Sequence, residues 1–510
     1  MALARHRRGV HRPRRLTRRP PPRRVGSHDC TLREVLLSSP DSSTDSSTDP
    51  SPSRVRAHPA APGAPRAGIV LTIASLGFFL ITLDISIVNV ALASIRDDLG
   101  GGTAGQQWII DGYTLLFACL LLCAGNLADR IGAKRALGLG IVVFTLTSAA
   151  CAAAPDLGTL ITARCAQGAG AAVMLPASMA LVREAFPDPA ARARALGVWA
   201  VGGAVAGLVG QPLGGVLTTV DWRWVFLVNL PVGVGMLVPL FTVAPSPRRP
   251  RPFDWAGQVL AVVTLTALIS GLIDGGHAGF GRPTVVAAFL VAVAGIAVFL
   301  RVQSRAAHPM VPLDLFGARG PRIALPVGFA FMVGNYGHVF VVSLYLQQHL
   351  GMTPLHAGLV FLPAAFFAIA GNLASGPVTN RFGVRLPVVA GQLSMVVGLL
   401  GLLVTAGIGS PLLAALFVVP IGAGGSLAMP PVTGVVLDGV DPERAGTASA
   451  VFNTFRQVGG AVAIAVFGAL VAADGGFVPG ARTSLAIAAV LLLGTALLSL
   501  RIPPRGGAAR

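Results

Sequence analysis

The chain has 510 residues, of which 53% are hydrophobic and 12% are charged, whereas a typical soluble domain carries about 25% charged residues. This composition excludes a water-soluble globular protein. The formal net charge of +18 does not indicate nucleic-acid binding either, because much of it lies in the first 66 residues and the rest in short loops.

An Arg-rich segment, residues 1–66, precedes the first apolar stretch and contains fourteen Arg against five acids. Its proline runs and repeated Ser-Ser-Thr-Asp predict disorder, since no apolar stretch in it is long enough to fold. A cleavable signal peptide would need an apolar stretch directly after the basic region, and polar residues intervene here. The Arg cluster either attracts anionic lipid or is a solvated tail, including one created by a misplaced start codon, and we favour the solvated tail.

From Gly68 onward, apolar segments of about 20 residues alternate with short polar loops, and such a segment can cross a hydrocarbon core of roughly 30 Å. The pattern predicts an all-α polytopic membrane bundle with fourteen transmembrane helices, located in the cell membrane. The predicted spans are 69–93, 106–128, 136–154, 158–182, 195–219, 224–244, 255–274, 284–302, 323–346, 355–375, 386–407, 411–433, 446–472 and 483–501.

The basic residues of the loops orient these spans, because cytoplasmic loops carry an excess of Lys and Arg. If the Arg-rich segment lies in the cytoplasm, the opposite side receives only Arg96, Arg223, Arg282 and Arg482. Both termini are therefore predicted to be cytoplasmic, in agreement with an even number of helices.

Charged side chains inside the predicted spans are the sharpest functional signal, because an ionised group at mid-membrane costs about 2.5–3.5 kcal/mol on insertion scales. Asp84, Asp111 and Arg164 are such residues. We hypothesise that Asp84 couples transport to protons, since desolvation favours its neutral form, Arg164 favours its carboxylate, and a conformational change alters the balance. The alternatives are a static ion pair between Asp84 and Arg164, and a hydrated helix end at Asp111.

The loop after the second span reads Gly125-Asn-Leu-Ala-Asp129-Arg130-Ile-Gly132-Ala-Lys134-Arg135, and a weaker copy, residues 376–385, follows the tenth span. This recurrence indicates a duplicated half. Glycines permit a tight turn, and an acid among basic residues can engage a neighbouring helix N-terminus and release it when the bundle rocks. We therefore predict a conformational gating loop that consists of Gly125, Asp129, Arg130, Gly132, Lys134 and Arg135.

Small residues line one face of the fifth predicted span. Such a face permits close helix packing or bending. Its glycines are Gly203, Gly207, Gly210, Gly214 and Gly215, and Pro212 lies among them.

Polar side chains in several spans are candidates for the lining of a substrate cavity. The ninth span is unusually polar, and His338 in it can titrate near neutral pH, although we favour a hydrogen-bonded packing role. Arg456 in the thirteenth span either lines the cavity or bonds a broken backbone, and here we favour the structural role. The candidates are Asn89, Gln167, Asn335, His338, Gln347, Asn453 and Arg456.

Four segments of the chain together resemble motifs of the major facilitator superfamily, and the resemblance extends over residues 68–502. The loop motif is similar to the family's signature between its second and third helices. Residues 83–92, with Asp84 and Asn89, resemble the first-helix motif of its fourteen-helix drug:proton antiporter branch, and residues 160–170 and 222–233 resemble two further motifs. The fifth span departs from the antiporter motif, because Pro212 stands one position later than the family's proline.

The resemblance implies two six-helix halves around a central cavity, with an inserted helix pair between them, in a 6+2+6 arrangement. The implied division is a tail at 1–66, an N-terminal half at 67–245, a linker with two inserted helices at 246–304, a C-terminal half at 305–502 and a short basic tail at 503–510. The implied function is proton-coupled secondary transport that exports small amphipathic compounds, such as drugs or antibiotics, by alternating access. The expected partners are this substrate, protons and the lipid bilayer, with a monomer as the working assumption and with no metal, cofactor or nucleic acid.

Two alternatives stay open. A dedicated exporter of a single natural product or metabolite would differ from a drug exporter in the narrowness of its transport. A membrane enzyme would need a catalytic or metal constellation near a membrane surface, and the sequence offers neither a His/Asp/Glu cluster nor a nucleotide-binding loop. We therefore expect no enzymatic activity.

Overall fold

The structure is a computed structural model that describes residues 64–248, 253–438, 440, 444–473 and 475–502, apart from the side chains of residues 64–66, 189 and 193. These residues all belong to one unit, Ala61–Arg510. The tails predicted at 1–66 and 503–510 lie outside the described residues, except that the first helix already begins at Ala64.

Every regular element in the described part of the chain is helical. A 3₁₀ turn, Leu313–Gly317, precedes α10, and a π-helical turn, Tyr345–His349, continues it. In chain order the helices are α1 Ala64–Leu99, α2 Gly102–Ile131, α3 Ala133–Ala152, α4 Leu157–Ala185, α5 Pro189–Val220, α6 Trp224–Leu227, α7 Asn229–Leu240, α8 Trp255–Ala278, α9 Pro283–Arg305, α10 Arg319–Leu344, α11 Pro354–Val360, α12 Leu362–Phe382, α13 Arg385–Thr405, α14 Pro411–Leu437, α15 Ala445–Ala472 and α16 Phe477–Ser499.

The described residues contain thirteen helical spans that are long and apolar enough to cross a membrane. The sixth predicted span, 224–244, differs from the others, because it is a shorter apolar stretch, Trp224–Leu240, that is divided into α6 and α7. Pro231, in the first turn of α7, has no N–H to continue the preceding helix, so the chain restarts at this point. Of the fourteen predicted spans, thirteen are therefore full-length apolar spans, and the sixth is a shorter one divided into two helices.

Glycines form two equivalent turns in the duplicated loop. Gly132 separates α2 from α3 with a φ of 91°, and Gly383 separates α12 from α13 with a φ of 83°. Both values lie in the left-handed region that side chains with a Cβ rarely adopt. The repeated sequence pattern thus corresponds to a repeated backbone conformation.

Acidic residues cap several helix starts. Asp156 precedes α4 and accepts hydrogen bonds from the backbone N–H and the hydroxyl of Thr159, at 2.8 and 2.9 Å. These bonds favour the carboxylate and lower the pKa of Asp156. Asp188 and Asp254 accept backbone N–H groups at the starts of α5 and α8 in the same way.

The helices pack in two groups, which we call the first group (α1–α7) and the second group (α10–α16). In the first group α1 packs on α5, and α2 and α3 pack on α4; in the second group α12 and α13 pack on α14, and α10 packs on α15. The groups meet where α2 packs on α15 and where α5 packs on α11. Helix α8 pairs with α9 and also contacts α2 and α15. The 6+2+6 arrangement and the cytoplasmic termini stay predictions.

One side of the bundle serves as a reference below. We call the side at which α1 ends and α2 begins the α1–α2 end. The turn after α10 lies at the same end, because the side-chain amide of Gln348 donates to Gln106 Oε1, at 3.2 Å.

Candidate functional site

A buried ion pair joins α1 to α4. Arg164 Nη1 donates to Asp84 Oδ2 at 2.5 Å, and the exposed fractions of the two side chains are 1% and 0%. Arg164 Nε also donates to the backbone oxygen of Ile109 in α2, at 3.1 Å. The structure thus brings together the two charged residues that the sequence singled out, 80 positions apart.

Amide and hydroxyl side chains complete the hydrogen bonding of Asp84. Gln167 Nε2 and Asn229 Nδ2 both donate to Asp84 Oδ1, at 2.9 and 3.0 Å. The same two nitrogens donate to Ser148 Oγ, at 3.2 and 3.0 Å, and Ser148 donates to the backbone oxygen of Phe226. We call this set, Asp84, Ser148, Arg164, Gln167 and Asn229, the Asp84 cluster; it links α1, α3, α4 and α7.

Aromatic rings cover the guanidinium of Arg164. Its central carbon lies 4.4 Å from the ring centroid of Tyr113 and 5.8 Å from that of Phe226. Cation–π attraction adds to the ion pair in such desolvated surroundings. Helices α2 and α4 approach closely here, because a Cβ at Gly168 would overlap the backbone of Tyr113.

The Asp84 cluster stabilises a carboxylate but gives a proton no entry in this conformation. Asp84 is fully buried and accepts one charge-assisted and two amide hydrogen bonds, which compensate its charge. Separation from Arg164 would leave an uncompensated buried carboxylate, and protonation would then be favoured. Proton exchange at Asp84 therefore requires a motion that separates the pair or admits water.

Asp111 lies in a contrasting environment on α2. Both of its carboxylate oxygens are buried and lack a hydrogen-bond partner among the described residues. Its helix face points to the second group, because Gln107, one turn before it, donates to two backbone oxygens of α15 at 2.7 and 3.0 Å. Two turns after Asp111, the backbone oxygen of Ala118 accepts a bond from Thr454 of α15. Asp111 thus lies in the seam between α2 and α15, where an ionised carboxylate without partners is costly.

A small recess lies between the two groups. Two predicted cavity residues, Asn89 and Asn335, line it together with Gln211 and Tyr336. Gln211 Oε1 is buried without a hydrogen-bond partner among the described residues, so it can accept a bond from a ligand. The other lining residues are Ile85, Ser86, Ile110, Val339 and Ile464. A small apolar pocket with a few polar groups is typical of small-molecule sites.

His338 and Gln347 lie outside this recess. His338 is buried, and its Nδ1 lies 2.8 Å from the backbone oxygen of Gly334, one helical turn earlier. Gln347 donates to Ser343 at 3.1 Å. No group of three or more His, Cys, Asp or Glu that could hold a metal occurs in the described ranges, so His338 has no companion ligands there.

Asn453 and Arg456 form a separate pair on α15. Arg456 Nη1 donates to Asn453 Oδ1 at 3.1 Å, and its guanidinium carbon lies 5.9 Å from the ring centroid of Phe331 and 5.7 Å from that of Phe452. Arg456 Nε is buried without a partner among the described residues. This arrangement fits the structural role favoured from the sequence and leaves one donor for a ligand.

The predicted gating loop packs on the end of α7. Lys134 Nζ donates to the backbone oxygens of Phe241 and Val243, at 3.1 and 2.5 Å, where the carbonyls at a helix C-terminus favour a cation. The backbone N–H of Lys134 donates to Ser246 Oγ, and a Cβ at Gly132 would lie 3.0 Å from the Ser246 backbone oxygen. The remaining members, Gly125, Asp129, Arg130 and Arg135, lie on the adjoining ends of α2 and α3.

Four of the five glycines predicted on α5 make close contacts, two of them to backbone atoms and two to side chains. A Cβ at Gly214 would lie 2.7 Å from the backbone oxygen of Ile87 in α1, and one at Gly210 would lie 2.5 Å from Ser86 Cβ. Gly203 faces the ring of Phe78 and Gly215 faces the backbone of Leu355, whereas Gly207 has open space around it. The predicted smooth face therefore packs on α1 and, at Gly215, on α11.

The two groups touch backbone to backbone at the α1–α2 end. A Cβ at Gly358 in α11 would lie 2.5 Å from the backbone oxygen of Gln211 in α5. Ser343 Oγ of α10 donates to the backbone oxygen of Asn89 in α1, at 3.1 Å. Together with the Gln348–Gln106 bond, these contacts join the two groups at this end.

Sequence reasoning missed two members of the Asp84 cluster, Ser148 and Asn229. Asn229 lies within the motif 222–233 but was not assigned a role, although an amide two residues before a proline inside an apolar span is an available signal. Ser148 has no such signal, because a serine inside a membrane helix most often bonds its own backbone.

Comparison with known proteins places these features in context. The model of the family described as Major Facilitator Superfamily matches residues 74–464. The "Methylenomycin A resistance protein" of Streptomyces coelicolor is 37% identical over 84% of this chain and 91% of that protein, and the "Multidrug resistance protein Stp" of Mycobacterium tuberculosis is 36% identical over 79% and 76%. The crystal structure of a D-xylose-proton symporter superposes with a TM-score of 0.62 at 15% identity, covering 86% of this chain and 98% of that one.

Proposed function

The chain belongs to the major facilitator superfamily, and we propose that it is a proton-coupled secondary transporter that exports small amphipathic compounds by alternating access. It is a multi-pass protein of the cell membrane and lies in the drug-efflux branch of the family, as its family match, its relatives and its thirteen apolar spans indicate. The members compared here are transporters and not enzymes.

The observation that carries the proposal of proton coupling is the buried Asp84–Arg164 pair. Two of the three contacts to Asp84 come from Arg164 and Gln167 on α4, and the third comes from Asn229 on α7. Relative motion of α1, α4 and α7 therefore changes the pair. A carboxyl whose compensation depends on helix positions binds its proton with an affinity that depends on conformation. Asp111 is a second proton site in this proposal, since neither of its buried carboxylate oxygens has a hydrogen-bond partner among the described residues.

The proposed cycle uses the two conformations as follows. When the bundle opens at the α1–α2 end, a proton enters, Asp84 is protonated and substrate leaves. When that end closes, Arg164 again pairs with Asp84, the proton leaves at the opposite end and new substrate enters the recess. The Asp84–Arg164 bond and the contacts between the two groups at the α1–α2 end support the assignment of this structure to that closed state. Each pH unit of gradient supplies about 1.36 kcal/mol per proton.

The helix arrangement in the proposal is 6+2+6, with α8 and α9 as the inserted pair and both termini in the cytoplasm. This orientation places the α1–α2 end on the outer face, because its loops carry only four of the basic residues. Export in this proposal moves substrate from the opposite, cytoplasmic end of the bundle to the α1–α2 end.

Substrate breadth has two candidate answers. The relatives include a protein named for resistance to one compound, methylenomycin A, and one named for multidrug resistance. We propose a broad range of amphipathic substrates, since the recess combines apolar residues with the polar groups of Asn89, Gln211 and Asn335 and contains no acid. A dedicated exporter of one natural product is the second candidate, favoured by the small volume of the recess.

The test is transport in inverted membrane vesicles with a panel of amphipathic compounds, with and without an imposed pH gradient. Asp84→Asn should abolish uptake driven by the gradient, because the amide cannot take up a proton, while exchange of substrate without a gradient persists. Arg164→Ala should abolish both modes, since an unpaired buried carboxylate destabilises the bundle by about 3–5 kcal/mol.

The matched control is Asp97→Asn, which removes an acid from the same helix where its side chain is 68% exposed. It should transport as the natural protein does. Gradient-driven uptake that is unchanged in Asp84→Asn would refute the coupling role of Asp84, and uptake of a single compound from the panel would favour the dedicated exporter.

A further inference from the structure

Helix α8 lies across the seam between α2 and α15 and contacts both helices. Ile269 and Ile273 of α8 belong to one apolar cluster with Leu115 of α2 and with Ala461 and Ala465 of α15. This seam is a boundary between the first and the second group, so it has to widen when the α1–α2 end opens. Helix α8 then cannot keep all of its contacts to both helices.

Gln107 of α2 connects all three helices at the α1–α2 end. Its side chain is fully buried, and its Nε2 donates to the backbone oxygens of Ile464 and Ala465 in α15, at 3.0 and 2.7 Å. Its Oε1 lies 3.3 Å from Nε2 of His277 in α8. Because an amide oxygen only accepts, His277 Nε2 is the donor, and it carries a hydrogen both in this neutral tautomer and in the protonated ring.

The two ends of α8 are attached to different helices. Near its start, Gln258 Nε2 donates to the backbone oxygen of Cys119 in α2, at 3.0 Å. In its last turn, Gly276 packs directly on the backbone of α15, since a Cβ there would lie 2.6 Å from Ala469 Cα. The bond that joins this last turn to α2 is the one from His277 to the Gln107 side chain. A single hydrogen bond breaks more readily than close backbone packing, so the end of α8 follows α15 when the seam widens.

We propose, on the basis of the alternating access proposed above, that His277 and Gln107 form a latch by which α8 holds the α1–α2 end closed. The last turn of α8 stays packed on α15, while the His277–Gln107 bond and the bonds from Gln107 to α15 break together on opening. These bonds exist only in the closed conformation, so they lower its free energy relative to the open one. Loss of the latch therefore shifts the population toward the open conformation.

The test measures how often the α1–α2 end opens, from the rate at which a thiol buried there is modified. Ser343→Cys supplies this thiol with little change of shape, at a position that is 1% exposed and bonded to the Asn89 backbone in the closed state. A charged methanethiosulfonate is added to the purified full-length chain, and mass spectrometry of the peptide that contains position 343 gives the rate. The measurement needs no transport, so it does not depend on proton coupling at Asp84.

In this reporter chain, His277→Ala should raise the rate of modification about fivefold, as expected for the loss of one hydrogen bond from the closed conformation. His277→Gln should return the rate to that of the reporter chain, because its amide keeps an N–H donor. Gln107→Leu should raise the rate further than His277→Ala, since it removes three bonds. The double variant Gln107→Leu with His277→Ala should match Gln107→Leu alone, because His277 acts through Gln107.

Two controls separate the latch from a general loosening of the fold. His308→Ala removes an exposed histidine just after α9, at the opposite end of the α8–α9 pair, and should leave the rate unchanged. Ser484→Cys places a second reporter thiol at a fully buried position within the second group, where it should stay unmodified in every variant.

An unchanged rate in His277→Ala would overturn the latch, as would additive effects in the double variant. An equal rise in His308→Ala, or a parallel rise at position 484, would also overturn it by showing a general loosening. Absence of any modification at position 343 in all variants would instead contradict the opening of this end in the proposed function, and the latch would fall with it.

Discussion

Asp84 and Asp111 show how two buried carboxyls of one bundle differ through their neighbours alone. Asp84 accepts bonds from Arg164, Gln167 and Asn229, whereas Asp111 has no partner among the described residues. The first environment surrounds the carboxyl with hydrogen-bond donors, and the second leaves both carboxylate oxygens without one among the described residues. A conformational change that exchanges such environments is the physical basis of proton coupling in the proposed function.

Ser148 provides a test of positioning within the Asp84 cluster. Ser148→Ala removes the acceptor shared by Gln167 and Asn229, which should cost about 1–3 kcal/mol of stability. The two amides then hold the carboxylate less firmly, and the pH profile of gradient-driven transport should change. Transport against pH in vesicles and thermal unfolding of the purified protein measure the two effects.

The control for this substitution is Thr147→Val on the same helix. The Thr147 hydroxyl donates to backbone oxygens of its own helix, so its removal should change neither measurement appreciably. A pH profile of Ser148→Ala that coincides with that of the natural protein would show that the hydroxyl does not position Asp84.

At the scale of elements, helix α5 shows why its glycines are spaced as they are. Gly210 and Gly214 are one turn apart and both face α1, where the Ile87 backbone oxygen leaves no room for a Cβ. Small residues at such spacing let helices in lipid approach closely, since van der Waals packing replaces the hydrophobic driving force. Gly207, by contrast, has no neighbour within 4 Å of a built Cβ.

This contrast supplies a matched pair of substitutions on one helix. Gly214→Ala should destabilise the protein by about 1–3 kcal/mol and reduce transport, because a backbone oxygen cannot move aside as a side chain can. Gly207→Ala should keep both properties near their natural values. Thermal unfolding in detergent and vesicle transport provide the measurements, and equal behaviour of the two variants would contradict the α1–α5 contact described here.

At the scale of the whole molecule, the two groups of helices are joined at the α1–α2 end. The contacts are a side-chain bond between Gln106 and Gln348, a bond from Ser343 to the backbone of Asn89, and the close approach of Gly358 to Gln211. Alternating access requires that these contacts break once in every cycle. A link across them should therefore stop transport.

The double variant Gln106→Cys with Gln348→Cys tests this requirement. Treatment with a short bifunctional methanethiosulfonate during turnover should lower transport more than tenfold, and a reducing agent should restore it. Each single variant, and the natural chain with its own cysteines, should tolerate the reagent. Wild-type transport by protein that is fully cross-linked would exclude opening at this end.

The sequence by itself determined the membrane character, the approximate positions of the spans and the family. Apolar length, loop charge and local motifs such as residues 125–135 depend on neighbouring residues, so they are readable from the chain. The break between α6 and α7 was missed, because the apolar composition of the whole span hides the interruption of the helix before Pro231.

Only the tertiary structure decided which polar residues act together. Asp84, Ser148, Arg164 and Asn229 are up to 145 positions apart, and their hydrogen bonds depend on the rotation of four helices about their axes. Likewise, only packing separates Asn89 and Asn335, which line the recess, from His338, which bonds its own helix. Helix rotation in a bundle is set by contacts between distant segments, and a single sequence carries no direct record of those contacts.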